Sequence, residues 1–128
     1  MIDIDGRDFD VLRSILSGYR SAIPVCEFNG EHRCVWKMGL TSQGWGRDSN
    51  YGASLHAFVG LFRHHGYELV HVESNGVNAF WVRRESFPDS FTKLDVKSSW
   101  RSGHDLVGSV GHPRIAISES PTNYNIGL

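Results

Sequence analysis

Cysteine is scarce in this chain of 128 residues: only Cys26 and Cys34 carry thiols. Neither has a further Cys or a His at zinc-finger spacing, so reduced, partly buried thiols are expected. An excess of charge of one sign is missing too. Lys and Arg number 13 against 14 for Asp and Glu, a net charge of −1, which leaves no basic field to hold a nucleic-acid backbone. No apolar run approaches the roughly 20 residues that a membrane-spanning helix needs. Met1 is followed at once by Ile2-Asp3-Ile4-Asp5, without the basic and apolar regions of a secretory signal. A cytoplasmic protein is expected, acting on neither membrane nor nucleic acid, with length for one domain and a core of its own.

Proline is rare before position 88, where only Pro24 occurs, so little interrupts regular structure there. The chain is organised around Gly66 to Arg83, GYELVHVESNGVNAFWVR. Two runs rich in alternating or β-branched residues, Tyr67 to Glu73 and Val77 to Arg83, flank Ser74-Asn75-Gly76. Asn-Gly between such runs predicts an antiparallel hairpin, because Asn75 and Gly76 tolerate the positive φ of a two-residue turn. Ahead of it, Leu55, Phe58, Val59, Leu61 and Phe62 recur at helical spacing within Ala53 to His65, with Gly66 as the C-terminal stop.

The opening MIDID alternates Ile with Asp and predicts a strand whose C-terminal end meets a polar cleft. Phe9, Leu12, Ile15 and Leu16 predict a helix from Arg7 to Leu16, ended by Gly18, with Asp8 and Asp10 where the helix dipole favours anions. Ala22 to Phe28, AIPVCEF, predicts a second strand of mostly apolar residues. A strand, a helix and a parallel strand form a right-handed crossover, which brings Asp3, Asp5, Glu27 and Asn29 to one crevice at the sheet edge where α/β sheets bind ligands. Gly30 to Asn50 predicts a long lid or binding loop. Beyond Phe87 a Ser-, Gly- and Pro-containing tail, 88–128, follows the α/β unit of 1–87 and is expected to wrap it or to be partly disordered.

IDIDGRDFDVLRSI at Ile2 to Ile15, PVCEFN at Pro24 to Asn29, NYGASLHAF at Asn50 to Phe58 and GYELVHVESNGVNAFWVRRESF at Gly66 to Phe87 together resemble the C-terminal half of the FkbM-like, S-adenosylmethionine-dependent methyltransferases. The resemblance implies a partial Rossmann-like, class I methyltransferase-like α/β fold: a mixed sheet of about four strands, a C-terminal antiparallel hairpin and flanking helices. In that fold the strand order is 3-2-1-4-5-7-6. MIDID then resembles the fourth strand, AIPVCEFN the fifth, and the hairpin the sixth and seventh.

The family's cofactor-holding Gly-rich turn and ribose-binding acidic residue lie on its first and second strands, which have no counterpart in these residues; Gly44-Trp45-Gly46 follows no strand. The resemblance therefore implies S-adenosylmethionine only where a separate N-terminal half completes the site, and transfer to a sugar or small-metabolite hydroxyl. An isolated chain is expected to be inactive. The rival expectation is a non-catalytic interaction module, a homodimer paired through the strand edge at residues 1–5.

The acidic cluster admits several roles. Asp3, Asp5 and Glu27 can hold a divalent Mg or Mn ion through oxygen ligands. Alternatively Asp5, Asp8 or Glu27 can act as general base on the acceptor hydroxyl, with Asn29 and Asn78 holding that acceptor. A purely structural account has Asp8 capping the first helix, Asp3 or Asp5 paired with an arginine, and Asn29 tethering the next loop. Seven histidines show no metal-binding spacing. Arg83-Arg84 suit either an anion or solvent.

Overall fold

In a computed structural model the described residues are 1–4, 6–30, 52–90 and 93–100. Asp5, the long stretch 31–51 with Cys34 and Gly44-Trp45-Gly46, and 101–128 with His104 and His112 lie outside them. The elements in order are helix α1 (Asp8–Gly18), strand β1 (Val25–Glu27), helix α2 (Leu55–His64), strands β2 (Tyr67–Val72) and β3 (Asn78–Arg83), a 3-10 turn (Arg84–Ser86) and the short helix α3 (Val96–Ser99). This is a small mixed α/β domain built on a three-stranded antiparallel sheet of order β1-β3-β2. No helix among the described residues is long and apolar enough to cross a membrane.

Helix α2 forms as its sequence dictates. The Ser54 hydroxyl accepts the Ala57 N–H at 3.2 Å, which satisfies one of the free amides of the first turn. Arg63 and His64 lie in the last turn, where positive charge suits the dipole. Gly66 ends the helix with φ +82°, a left-handed conformation that side chains disfavour.

The hairpin follows directly, with a longer loop than the Asn-Gly pair predicts. Glu73 and Asn78 remain paired, the Glu73 N–H donating to the Asn78 carbonyl at 2.9 Å. Loop 74–77 closes on a Gly76 N–H bond to the Glu73 carbonyl at 3.0 Å, and Gly76 takes φ +70°. The Asn75 side chain accepts the Val77 N–H at 3.3 Å, so Asn75 stabilises the loop through its oxygen. A register shift between Leu69 and His71 leaves Val70 without a partner on β3, the mark of a β-bulge.

One face of the sheet is apolar. Cys26 is registered with Ala79 and Leu69 with Trp81, and all four are buried. Phe62 of α2 stacks on Trp81 with centroids 4.2 Å apart and meets Tyr67 edge-on at 5.7 Å. Phe9 of α1 reaches Phe58 of α2 at 5.5 Å, which carries the core out to α1. Burial of each such aromatic stabilises the fold by about 2–3 kcal/mol. A piece of the expected tail joins this core: Val96 is buried, and Leu94 and Trp100 pack against it.

The opening run contributes a single parallel bridge, Ile2 to Cys26, instead of a full fourth strand. Ile2 donates to the Val25 carbonyl at 2.9 Å and accepts the Glu27 N–H at 3.1 Å. Pairing stops there because Asp8 takes the next amides. Its two carboxylate oxygens accept the Ile4 N–H at 3.0 Å and the Gly6 N–H at 3.1 Å, turning the chain away from β1.

Candidate functional site

The parallel bridge and the β1–β3 register bring several candidate residues to one level. Glu27 lies opposite Asn78, and Asp3 follows Ile2, whose bridge partner Cys26 precedes Glu27. Because side chains alternate across a strand, this row falls on the face opposite the buried Cys26 and Ala79. Glu73 extends the row on the hairpin side, its carboxylate accepting the Asn78 side-chain N–H at 2.9 Å. Asn78 keeps one buried atom, Oδ1, with no hydrogen-bond partner among the described residues.

Asn29 lies just past the end of β1 and is 3 % exposed. Its N–H donates to the Ala53 carbonyl at 2.8 Å, and its Cβ lies 3.9 Å from the point where a Gly52 Cβ would sit. Its backbone thus ties the end of β1 to the chain entering α2; the following loop that Asn29 is expected to tether lies outside the described residues from position 31. Asp3 is exposed and makes no ion pair among the described residues.

Asp8 stands apart from the row. It is the first residue of α1, and the position before it, Arg7, makes no side-chain cap. The expected capping of its own helix is replaced by capping in the opposite direction, onto the amides of Ile4 and Gly6. Among the described residues no group of His, Cys, Asp or Glu is arranged to hold a metal ion, and Asp5, which the metal reading needs, lies outside them.

Glu73 was not among the residues the sequence singles out, although its position flanking the turn opposite Asn78 is a usable signal. Glu68 had no such signal. It is 4 % exposed, and its carboxylate receives Arg63 Nε at 3.3 Å, Arg84 Nε at 3.1 Å and Lys93 Nζ at 3.8 Å. Arg83 pairs instead with Glu85 at 2.9 Å. Opposite Val82 in the register, Glu68 sits at the far end of the sheet from the Glu27–Asn78 row.

Of the seven histidines, His32, His104 and His112 lie outside the described residues. His64 and His65 meet edge-on with ring centroids 5.0 Å apart, and burial, reinforced by the His64 charge, holds the His65 imidazole below its ordinary range. They line an open groove of about 510 Å³ with Tyr19, Arg20 and Gly66. His71 is exposed on its strand. The Cys26 thiol is fully buried, which pushes its pKa far up, against a smaller opposing effect of Trp81. Among the described residues the Trp81 indole N–H itself meets no acceptor in hydrogen-bonding geometry.

No protein-family model matches this chain, nor does any curated protein or solved structure.

Proposed function

We propose that the chain is the acceptor-side half of a methyltransferase-like, partial Rossmann-like domain, working on a sugar or small-metabolite hydroxyl. One observation carries this reading: from the edge inward the neighbours run Ile2, β1, β3, β2, with Ile2 parallel to β1 across α1 and β3 antiparallel between β1 and β2. That is the sequence of neighbours 4-5-7-6 in the class I methyltransferase sheet. In such α/β sheets ligands lie beyond the carboxyl ends of the parallel strands, where Asp3, Glu27 and Asn29 lie here.

The residues divide the work by chemistry. A carboxylate of the row accepts the hydroxyl proton as the oxygen attacks, and Asn78 and Asn29 orient the acceptor. Asp8 holds the turn that follows Asp3. The methyl donor requires a cofactor-binding half, supplied by another segment or partner pairing at residues 1–5, and a Mg or Mn ion at Asp3, Asp5 and Glu27 is an optional aid to acidifying the acceptor.

The test is isothermal titration of S-adenosylhomocysteine into the chain, with and without manganese. No saturable heat is expected. Micromolar binding by the chain alone overturns the half-site reading, since a complete cofactor site then lies within these residues.

A second reading is favoured by the exposed Met1 and Ile4, 76 % and 50 % accessible on either side of Ile2 in the sequence, with Ile2 bridged among the described residues to Cys26 alone. An unpaired strand edge flanked by apolar side chains suits pairing with a second copy. Light scattering over a range of concentrations decides this. A persistent dimer dispersed by I4K supports the module, and a monomer rejects it.

A further inference from the structure

The far end of the sheet carries a cluster that the acceptor-side reading does not use. Glu68 of β2 is buried, and one cation suffices to balance it; it has Arg63 from the last turn of α2, Arg84 after β3, and Lys93. The surplus is positive. Both arginines engage Glu68 through Nε alone, so the Nη ends of both guanidinium forks are uncommitted among the described residues. Their side chains are 46 % and 55 % exposed, against 6 % for Glu68. Glu85, next to Arg84 in sequence, pairs with Arg83.

A buried carboxylate that grips two arginines by Nε sets their planes and leaves the outer N–H groups facing water, the arrangement that receives a tetrahedral dianion bidentately. The Arg84 N–H donates to the Gly66 carbonyl at 2.8 Å, and Gly66 lines the groove that also holds Arg20.

We infer that Arg63, Arg84 and Lys93, held in place by Glu68, form a binding site for phosphate or a phosphate monoester dianion. The site is independent of the acceptor row, which lies at the opposite end of β3.

The experiment titrates inorganic phosphate, then phenyl phosphate, into the full chain at constant ionic strength set with sodium chloride. It follows the Nε–Hε resonances of Arg63 and Arg84 by NMR. Saturable shifts of both resonances are expected with either probe, and tighter binding of phenyl phosphate assigns the natural ligand to the esters. R84K keeps the charge but loses the fork, so about tenfold weaker binding is expected. R63K, on a separate element, predicts the same loss and serves where R84K disturbs folding. The amide spectrum reports the fold of each variant. Absence of a saturable shift, or folded lysine variants that bind as tightly as the original, overturns the inference.

Discussion

The carboxylate of Asp8 accepts the Ile4 N–H at 3.0 Å, so the first residue of a helix fixes the segment that precedes it. With the Gly6 bond at 3.1 Å, both oxygens are occupied and Asp8 is buried. Asp8→Ala leaves two amides without their acceptor and is expected to lower stability by about 1–3 kcal/mol. Asp8→Asn, which retains one acceptor oxygen, costs less. Urea denaturation measures both, and faster amide exchange at Ile2 and Glu27 is expected to accompany the loss, because their bridge depends on the turn.

Two glycines separate conformational strain from crowding. A Cβ at Gly66 meets nothing within 4 Å, yet φ is +82°, so Gly66→Ala is expected to cost about 1 kcal/mol from the backbone alone. Gly76, buried at φ +70°, closes the hairpin loop. Gly76→Val adds a β-branched side chain to that conformation and is expected to cost about 2 kcal/mol. Denaturant midpoints give both values, and a Gly66→Ala loss equal to or above that of Gly76→Val contradicts this ranking.

Local signals explain how much of this was legible. Gly66, Asn75-Gly76 and the Leu55–Phe62 periodicity act within one turn of the chain, and the helix and hairpin they predict are present, with bounds moved by a residue or two at the ends. The parallel placement of the opening run beside β1 was legible as well. Its shortening to one bridge was not, because that depends on Asp8 bending back to Ile4 and Gly6. Glu68 was illegible for a similar reason: its two arginine partners are separated from it by 5 and 16 positions, and in sequence YELV reads as an ordinary strand. The row of Glu27 and Asn78 needed the β1–β3 register, which no local pattern encodes. Val96 entered the core from a segment whose composition shows no apolar face.

Acid is expected to weaken the fold through His65. Burial lowers its folded pKa from the ordinary 6.5, and the His64 charge lowers it further. The unfolded chain therefore binds more protons between the two values, and stability falls as pH drops from 6.5 through the folded pKa. Above 6.5 this contribution is fully present. Thermal midpoints measured between pH 7.5 and 5 should fall on the acid side, and His65→Gln should flatten that part of the profile. An unchanged slope in the variant assigns the acid sensitivity elsewhere.

Cys26 offers a probe of global opening. It has no accessible surface, lies on the buried face of the sheet in register with Ala79, and burial raises its pKa, which disfavours the thiolate. Since the thiolate is the reacting species, its reactivity is suppressed twice over, by ionisation and by access. With Cys34→Ser removing the second thiol, Ellman's reagent should leave the native chain unlabelled over hours and label Cys26 at once in denaturant. Labelling under native conditions should then follow unfolding: Phe62→Ala, which empties the stack on Trp81 and is expected to cost about 3–5 kcal/mol, should accelerate it by at least a hundredfold. Rapid labelling of the unsubstituted core, or a rate indifferent to Phe62→Ala, would mean that the β1 edge opens locally without loss of the core, and the Ile2 bridge rather than α2 would then be what guards the thiol.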